Sequence, residues 1–177
     1  MEDRHLIIFV KNPVAGKVKT RLADSLGDAK ALEVYMHLLD MTRKAVIDVV
    51  CTKHVFYSDE ILNGDEWDED TFNKFLQEGE DLGVRMKNAF EQGFALGAEK
   101  AVIIGSDCPE LTPLIIENGF AALDEKDVVI GPAKDGGYYL LGMKALLPML
   151  FEEKEWSTDT VFEDTVIDLI EQRLSYA

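Results

Sequence analysis

Lys11, Lys17, Lys19 and Arg21 stand in one short stretch, KNPVAGKVKTRL, and no Asp or Glu occurs between Arg4 and Ala23. The chain around them is acidic: 18 Lys and Arg face 34 Asp and Glu over 177 residues, a formal net charge of −16. Cations gathered against such a background suit a polyanion, because ammonium and guanidinium groups bind phosphate oxygens through charge-assisted hydrogen bonds. Pro13 and Gly16 shape a turn within the stretch, and the start of a following helix would add backbone N–H donors. The stretch is not a Walker A loop, which would carry Gly at Lys11 and Ser or Thr at Val18. Nor is it the dinucleotide fingerprint, since of its glycines only Gly16 is present. The alternative is a solvated basic loop that offsets surface acids. The lack of any acid among the cations favours phosphate binding.

Two further groups could do chemistry. Asp107, in SDCPEL, follows the apolar run AVIIG. A carboxylate at a strand end can hold a divalent cation that bridges phosphate oxygens. Asp also caps helices and turns in that position. Asp135, Gly136 and Gly137 lie in PAKDGGYYLLG. Paired glycines let backbone approach a ligand closely, or they form a hairpin turn of Asp-Gly type. Asp135 could be a second metal ligand or could orient an acceptor. Tyr138 and Tyr139 could line a pocket, with one of them facing the core. In EWSTDTVFEDT, Ser157 or Thr158 reads as a helix N-cap and Asp159 as part of the first turn. Cys51 and Cys108 have no metal-ligand spacing and read as inert thiols in a reducing compartment.

These residues need elements to position them. Short apolar runs over 5–10, 54–58, 101–105, 127–133 and 138–143 read as strands, mostly continuous rather than alternating in polarity. A long helix is expected over 29–50, with Leu32, Met36, Leu39, Val46 and Val50 on one face. Leu82, Met86, Phe90 and Phe94 mark a helix over 82–96. Thr112 and Pro113 give an N-cap and a proline at the first position of a helix running to about 123. A last helix is expected over 158–174, with Phe162, Val166, Leu169 and Ile170 inward. The acid-rich segment 59–81 reads as a solvated loop or an insert with short helices. Alternating helices and buried strands imply an α/β fold with a mostly parallel sheet in three layers, one domain over residues 1–177. Ligands of such sheets sit beyond the carboxyl ends of the strands. The three chemical groups all fall there.

Composition bounds the function. With 47% hydrophobic residues the chain can bury a core, and an acidic chain is a poor partner for nucleic acid or an anionic membrane. No apolar run reaches the length of a membrane helix, and the first residues do not read as a signal peptide. The expected location is the cytoplasm, with a homo-oligomer left open.

Taken in order, KNPVAGKVKTRLA, EDLGVRM, IGSDCPELT, GPAKDGGYYLLG and WST resemble the DUF2064 or selenodomain-associated transferase group of small bacterial transferases. That group is similar to phospholactate guanylyltransferases and, more distantly, to molybdenum-cofactor guanylyltransferases. The resemblance covers about residues 7–158. It implies a nucleotide-diphospho-sugar transferase (GT-A, Rossmann-like) fold that takes a nucleotide sugar or nucleoside triphosphate with Mg²⁺ or Mn²⁺, and an acceptor it does not name. It implies that Lys11, Gly16, Lys17, Lys19 and Arg21 face the phosphates and that Arg85 lies near the nucleoside. Asp107 would be the metal ligand and a catalytic residue. Asp135 would act in catalysis on the acceptor side, with Gly136, Gly137 and Tyr138. The first expectation is glycosyl transfer from a nucleotide sugar. The alternatives are nucleotidyl transfer that releases pyrophosphate, and a nucleotide-binding protein without catalysis. The chain departs from the group's pattern at Val84, where the group has an acid. It also ends at Ala177, before the group's further strand and acidic turn, which fits a short acceptor site or lost activity.

Overall fold

A computed structural model describes residues 3–177. Six strands form one sheet in the order β3-β2-β1-β4-β6-β5. They are β1 (Arg4–Val10), β2 (Thr52–Tyr57), β3 (Phe72–Leu76), β4 (Lys100–Gly105), β5 (Val128–Pro132) and β6 (Tyr138–Met143). β1 pairs in parallel with β2 and β4, β2 pairs in parallel with β3, and β6 runs antiparallel between β4 and β5. The carboxyl ends of β1 to β5 and the start of β6 therefore share one edge. The last residues add to the sheet, with Tyr176 bridging Val128 in parallel.

The helices are α1 (Thr20–Leu26), α2 (Asp28–Val46), α3 (Leu82–Ala95), α4 (Pro113–Ala122) and α5 (Val161–Glu171), with a 3₁₀ turn at Pro148–Phe151. Successive strand residues point to opposite faces. Leu6, Ile8 and Val10 thus join Tyr35, Leu39, Ile116 and Phe120 in one core, covered by α2 and α4. Ile7, Ile103 and Leu141 join Met86, Phe90, Leu150 and Leu169 in the other, covered by α3, α5 and the 3₁₀ turn. This is the expected three-layer α/β fold.

Four details differ from the sequence reading. The acid-rich segment 59–81 contains a strand, β3, whose Lys74 is neutralised by Asp65 at 2.9 Å. α2 buries Leu39 and Val46 as expected and packs Leu32 on the core, but the buried stripe also takes in Ala31, Tyr35, Thr42 and Ala45, whereas Met36 is exposed and Val50 is 72% exposed beyond the helix end. Small residues along that stripe let the helix lie close to the sheet, and the Tyr35 hydroxyl is drawn to the backbone of Lys11. The last helix is shorter, Val161–Glu171, and begins after Thr160, whose Oγ1 caps no backbone N–H and donates instead to Asp164 Oδ2 at 2.9 Å. Ser157 takes a left-handed conformation instead of capping, and Ile170 is 61% exposed while Val161 and Thr165 face inward. On α3, Leu82 is exposed while Met86 and Phe90 are buried.

Candidate active site

The basic loop leaves β1 at the carboxyl edge and is held from beneath. Asn12, 4% exposed, donates from Nδ2 to the Glu60 carbonyl at 2.8 Å and accepts at Oδ1 from the Asp59 N–H at 3.0 Å. Its own N–H donates to Ser58 Oγ. Tyr35 reaches up from α2 and closes a second clasp: its hydroxyl accepts from the Lys11 N–H at 2.8 Å, donates to the Lys11 carbonyl at 3.0 Å and meets Ser106 Oγ at 3.3 Å. Burial pushes the Tyr35 phenol above its usual range, so it stays protonated and able to donate. Ser106 begins the loop after β4, so one phenol ties together the two loops that carry the candidate cations and Asp107. Val18, 1% exposed, anchors the middle of the basic loop in the core.

Against that scaffold the cations face outward. Lys11, Lys17 and Arg21 are exposed, and their side chains make no hydrogen bond or ion pair among the described residues. Lys19 differs. Its backbone is left-handed at φ 49 and ψ 44, and its Nζ donates to Asp107 Oδ2 at 2.9 Å. Gly16 also turns with positive φ, as the loop shape required. Lys11 lines a cleft of about 210 Å³ with Pro13, Met36, Tyr57 and Trp67 on the α2 flank. The structure therefore joins Lys19 to Asp107 directly and places Lys11, Lys17 and Arg21 on the same edge.

The other site residues share that edge. Asp107 follows Gly105, and a β-carbon at Gly105 would lie 3.4 Å from Asp107 Oδ1. Arg85, in the first turn of α3, donates from Nε to the Gly79 carbonyl at 3.0 Å and shapes the loop after β3. Gln77 in that loop donates to the carbonyls of Val10 and Phe56, tying three strand ends together. Asp135, Gly136 and Gly137 form the hairpin turn between β5 and β6, and Asp135 accepts from the Gly137 N–H at 3.2 Å. Gly136 has φ +86, and a β-carbon there would fall 1.9 Å from the Asp159 carbonyl oxygen. Its glycine requirement comes from close packing on the segment before α5. Tyr138 packs in the core on the α3 and α5 side, with its hydroxyl buried and without a partner, and burial raises that phenol. Cys51 is pushed up to about 11 and Cys108 is raised, both chiefly by burial, so neither is a ready thiolate.

Asp107 is a hard oxygen donor of the kind Mg²⁺ and Mn²⁺ accept. Among the described residues no group of three or more His, Cys, Asp or Glu could hold an ion. That donor set fits a cation that arrives with phosphates, which supply the remaining ligands along with water. It does not fit a metal held by protein alone. Sequence reading missed Asn12, Tyr35, Gln77 and Trp156, which packs on Gly83 at the start of α3. Asn12 and Trp156 fall inside the segments KNPVAGKVKTRLA and WST without an assigned role, and Tyr35 and Gln77 carry no motif signal; each acts through a contact distant in sequence.

Residues 41–158 match the family described as "Uncharacterized protein conserved in bacteria (DUF2064)". A 2-phospho-L-lactate guanylyltransferase of Methanocaldococcus vulcanius is 28% identical over 141 residues, 79% of this chain and 61% of that protein. The chain thus spans less than two thirds of that relative's length. A solved structure from Desulfovibrio desulfuricans G20, provisionally described as a nucleotide-diphospho-sugar transferase, superposes with a TM-score of 0.90 at 31% identity, over 99% of this chain and 79% of that one. A 4-diphosphocytidyl-2C-methyl-D-erythritol synthase of Anaerococcus prevotii gives a TM-score of 0.60 at 12% identity, over 99% and 85%, and shares the fold. Among the described residues no helix is long and apolar enough to cross a membrane.

Proposed function

The chain belongs to the DUF2064 family, and on that premise we propose that it is a nucleotide-using transferase that moves a nucleotidyl group from a nucleoside triphosphate to an oxygen acceptor. The relatives described above as transferases support a nucleotide-using enzyme in general. The observation that carries the finer reading is the basic loop. Three exposed cations, Lys17, Arg21 and Lys11, lack partners among the described residues, beside a fourth, Lys19, which sits against Asp107. Three or four positive charges match a triphosphate better than the two charges of a diphospho-sugar.

In this reading Lys17, Lys19 and Arg21 hold the β- and γ-phosphates and take up the charge that builds on the leaving pyrophosphate. Asp107 would hold Mg²⁺ or Mn²⁺, which supplies Lewis-acid polarisation of the phosphate oxygens when bound. The acceptor oxygen attacks the α-phosphorus, the bond from that phosphorus to its β-bridging oxygen breaks, and pyrophosphate leaves. Asp135, exposed on the hairpin, would orient the acceptor or take its proton. Arg85 and the loop after β3 would face the nucleoside. Glycosyl transfer is the second reading, supported by the description of the 31% identical Desulfovibrio protein.

Product analysis tests both. The protein is incubated with GTP, CTP, GDP-sugars or UDP-sugars, Mg²⁺ and a panel of phosphorylated and hydroxylated acceptors. Pyrophosphate formed only with acceptor present supports nucleotidyl transfer, and loss of that product in Asp107→Asn places it at this site. Free nucleoside diphosphate from a nucleotide sugar would replace the first reading with the second. Nucleotide binding without either product would leave a binding protein.

A further inference from the structure

We propose that Lys19 is a specificity-determining residue: it occupies Asp107 in the free protein, so the site accepts a divalent cation only together with nucleotide phosphates. This rests on Asp107 being the cation-holding carboxylate of the reading above. The ion pair is direct, with Nζ to Oδ2 at 2.9 Å, and it joins residues from two different loops. Lys19 is the one cation of the basic loop with an ion-pair partner among the described residues, and its side chain is 26% exposed against 63% for Asp107. The ammonium is therefore the more enclosed partner, and the carboxylate is open to an incoming ion.

The backbone supports the same role. Lys19 sits in the left-handed region, φ 49 and ψ 44, at the junction between the loop and α1. A side chain with a β-carbon adopts that conformation at a cost, and such outliers persist where the surroundings fix them. Val18, buried beside it, fixes the position, and the turn at Lys19 carries its side chain across to the loop after β4.

Two consequences follow from charge alone. A cation approaching the free protein must displace an ammonium from Asp107, so affinity for metal alone is low. Phosphates offer Lys19 a stronger partner than one carboxylate. When they bind, the ammonium can move to them, and Asp107 becomes free for the cation. Metal and nucleotide then strengthen each other by the same factor. Lys19 thereby screens out free divalent ions and admits the metal–nucleotide complex.

The test measures Mn²⁺ binding, by counting free Mn²⁺ with electron paramagnetic resonance, on the intact protein and on Lys19→Met, Lys19→Gln, Lys17→Met and the double variant Lys19→Met/Asp107→Asn. Each is measured with and without GTP, and circular dichroism checks that each is folded. Without nucleotide, Lys19→Met and Lys19→Gln should bind Mn²⁺ about fivefold more tightly, the factor equivalent to about 1 kcal/mol of a partly exposed ion pair. Lys17→Met should change it by less than about twofold, which separates release of Asp107 from the general loss of a positive charge. The double variant should lose the gain. In both Lys19 variants the factor by which GTP strengthens Mn²⁺ binding should fall. Unchanged or weaker Mn²⁺ binding in the Lys19 variants overturns the proposal, as does an equal gain in Lys17→Met or a gain that survives loss of Asp107. Should GTP fail to bind the intact protein, the triphosphate reading fails, while the arms without nucleotide still decide the role of Lys19.

Discussion

Cations occur at both ends of the sheet, and the two ends treat them differently. At the amino end Arg4 pairs with Glu117 at 2.7 Å and lies over the Phe120 ring, Lys100 pairs with Asp124, and Lys53 donates to the Cys51 carbonyl. His5 and His54, each 2% exposed, form a relay from Asp3. Each of these side chains has at least one polar partner, as burial of charge demands, although Arg4 Nε and His54 Nδ1 are buried without one. At the carboxyl end Lys11, Lys17 and Arg21 stand exposed and, among the described residues, unmatched, and Lys19 shares a carboxylate that is itself open. A polar residue's partners, more than its type, separate structure from function in this molecule. One end uses charge to tie β1 and β4 to α4 and the segment after it. The other leaves charge available.

The largest effect should come from the part of the carboxyl end that breaks this division. The hairpin between β5 and β6 lies at the open edge, yet Gly136 packs on the Asp159 backbone with φ +86. Gly136→Ala should lower stability by about 3 kcal/mol, from overpacking together with a left-handed alanine. Urea unfolding monitored by circular dichroism reads it. Near wild-type stability would mean that the segment before α5 yields, and the hairpin would then belong with the ligand-facing loops.

The next effect belongs to the amino end. Burial, with the nearby His5, depresses His54 to about 4. The unfolded imidazole titrates near its ordinary value of about 6.5. Between those values the unfolded chain binds a proton that the folded one refuses, so stability rises with pH there. The contribution is fully present above about 6.5 and is lost as pH falls toward 4, at most on the order of 3 kcal/mol. The groups facing His54 are His5 at 3.0 Å and the Phe75 ring, with Asp3 beyond His5. Thermal unfolding between pH 7 and pH 4 should show this slope, and His54→Leu should flatten it. An equal slope in that variant would assign the pH dependence to the carboxylates.

Tyr35→Phe should have a smaller effect, about 1 kcal/mol of stability, for hydrogen bonds lost from a buried hydroxyl. The change also loosens both loops from each other, since Tyr35 bonds Lys11 and reaches Ser106. Amide exchange at Lys11 and Ser106 should therefore quicken more than at β3, to which the Tyr35 hydroxyl makes no hydrogen bond among the described residues. Uniform quickening would make Tyr35 an ordinary core residue.

The sequence carried the sheet's central strands because continuous apolar runs such as AVIIG leave few other structures. It also carried Thr112 and Pro113 as the start of α4, since Thr112 Oγ1 accepts from the Ile115 N–H as a cap should. β3 was hidden because FNKFL is short and its Lys74 is neutralised by an acid nine residues earlier in the chain. On α2 the expected Leu32, Leu39 and Val46 do face the core, but Tyr35 takes the place given to Met36, since a buried Tyr beside an exposed Met reverses the simple order of hydrophobicity. The basic loop and Asp107 were legible as separate motifs. Their contact through Lys19 was not, because it spans 88 positions and depends on one left-handed backbone residue.

The smallest stability effect should come from the exposed cations, and it sharpens the comparison most. Arg21 is exposed on α1, a helix with no buried residue, and its guanidinium has no partner among the described residues. Arg21→Ala should therefore change the unfolding free energy by no more than about 0.5 kcal/mol. Lys17→Ala should behave alike. At the amino end, Lys100→Ala leaves Asp124 without the ammonium that matches it and should cost more. Affinity for GTP with Mg²⁺ should show the reverse ranking. Each loop variant should bind about tenfold more weakly, as expected for loss of a charge-assisted hydrogen bond of about 1.5 kcal/mol, with a shallower dependence on salt. Lys100→Ala should leave that affinity unchanged. Calorimetric titration at two salt concentrations, paired with urea unfolding on the same variants, reads both axes. A loop variant that loses stability but keeps its affinity would move that cation into the structural class and remove it from the phosphate site.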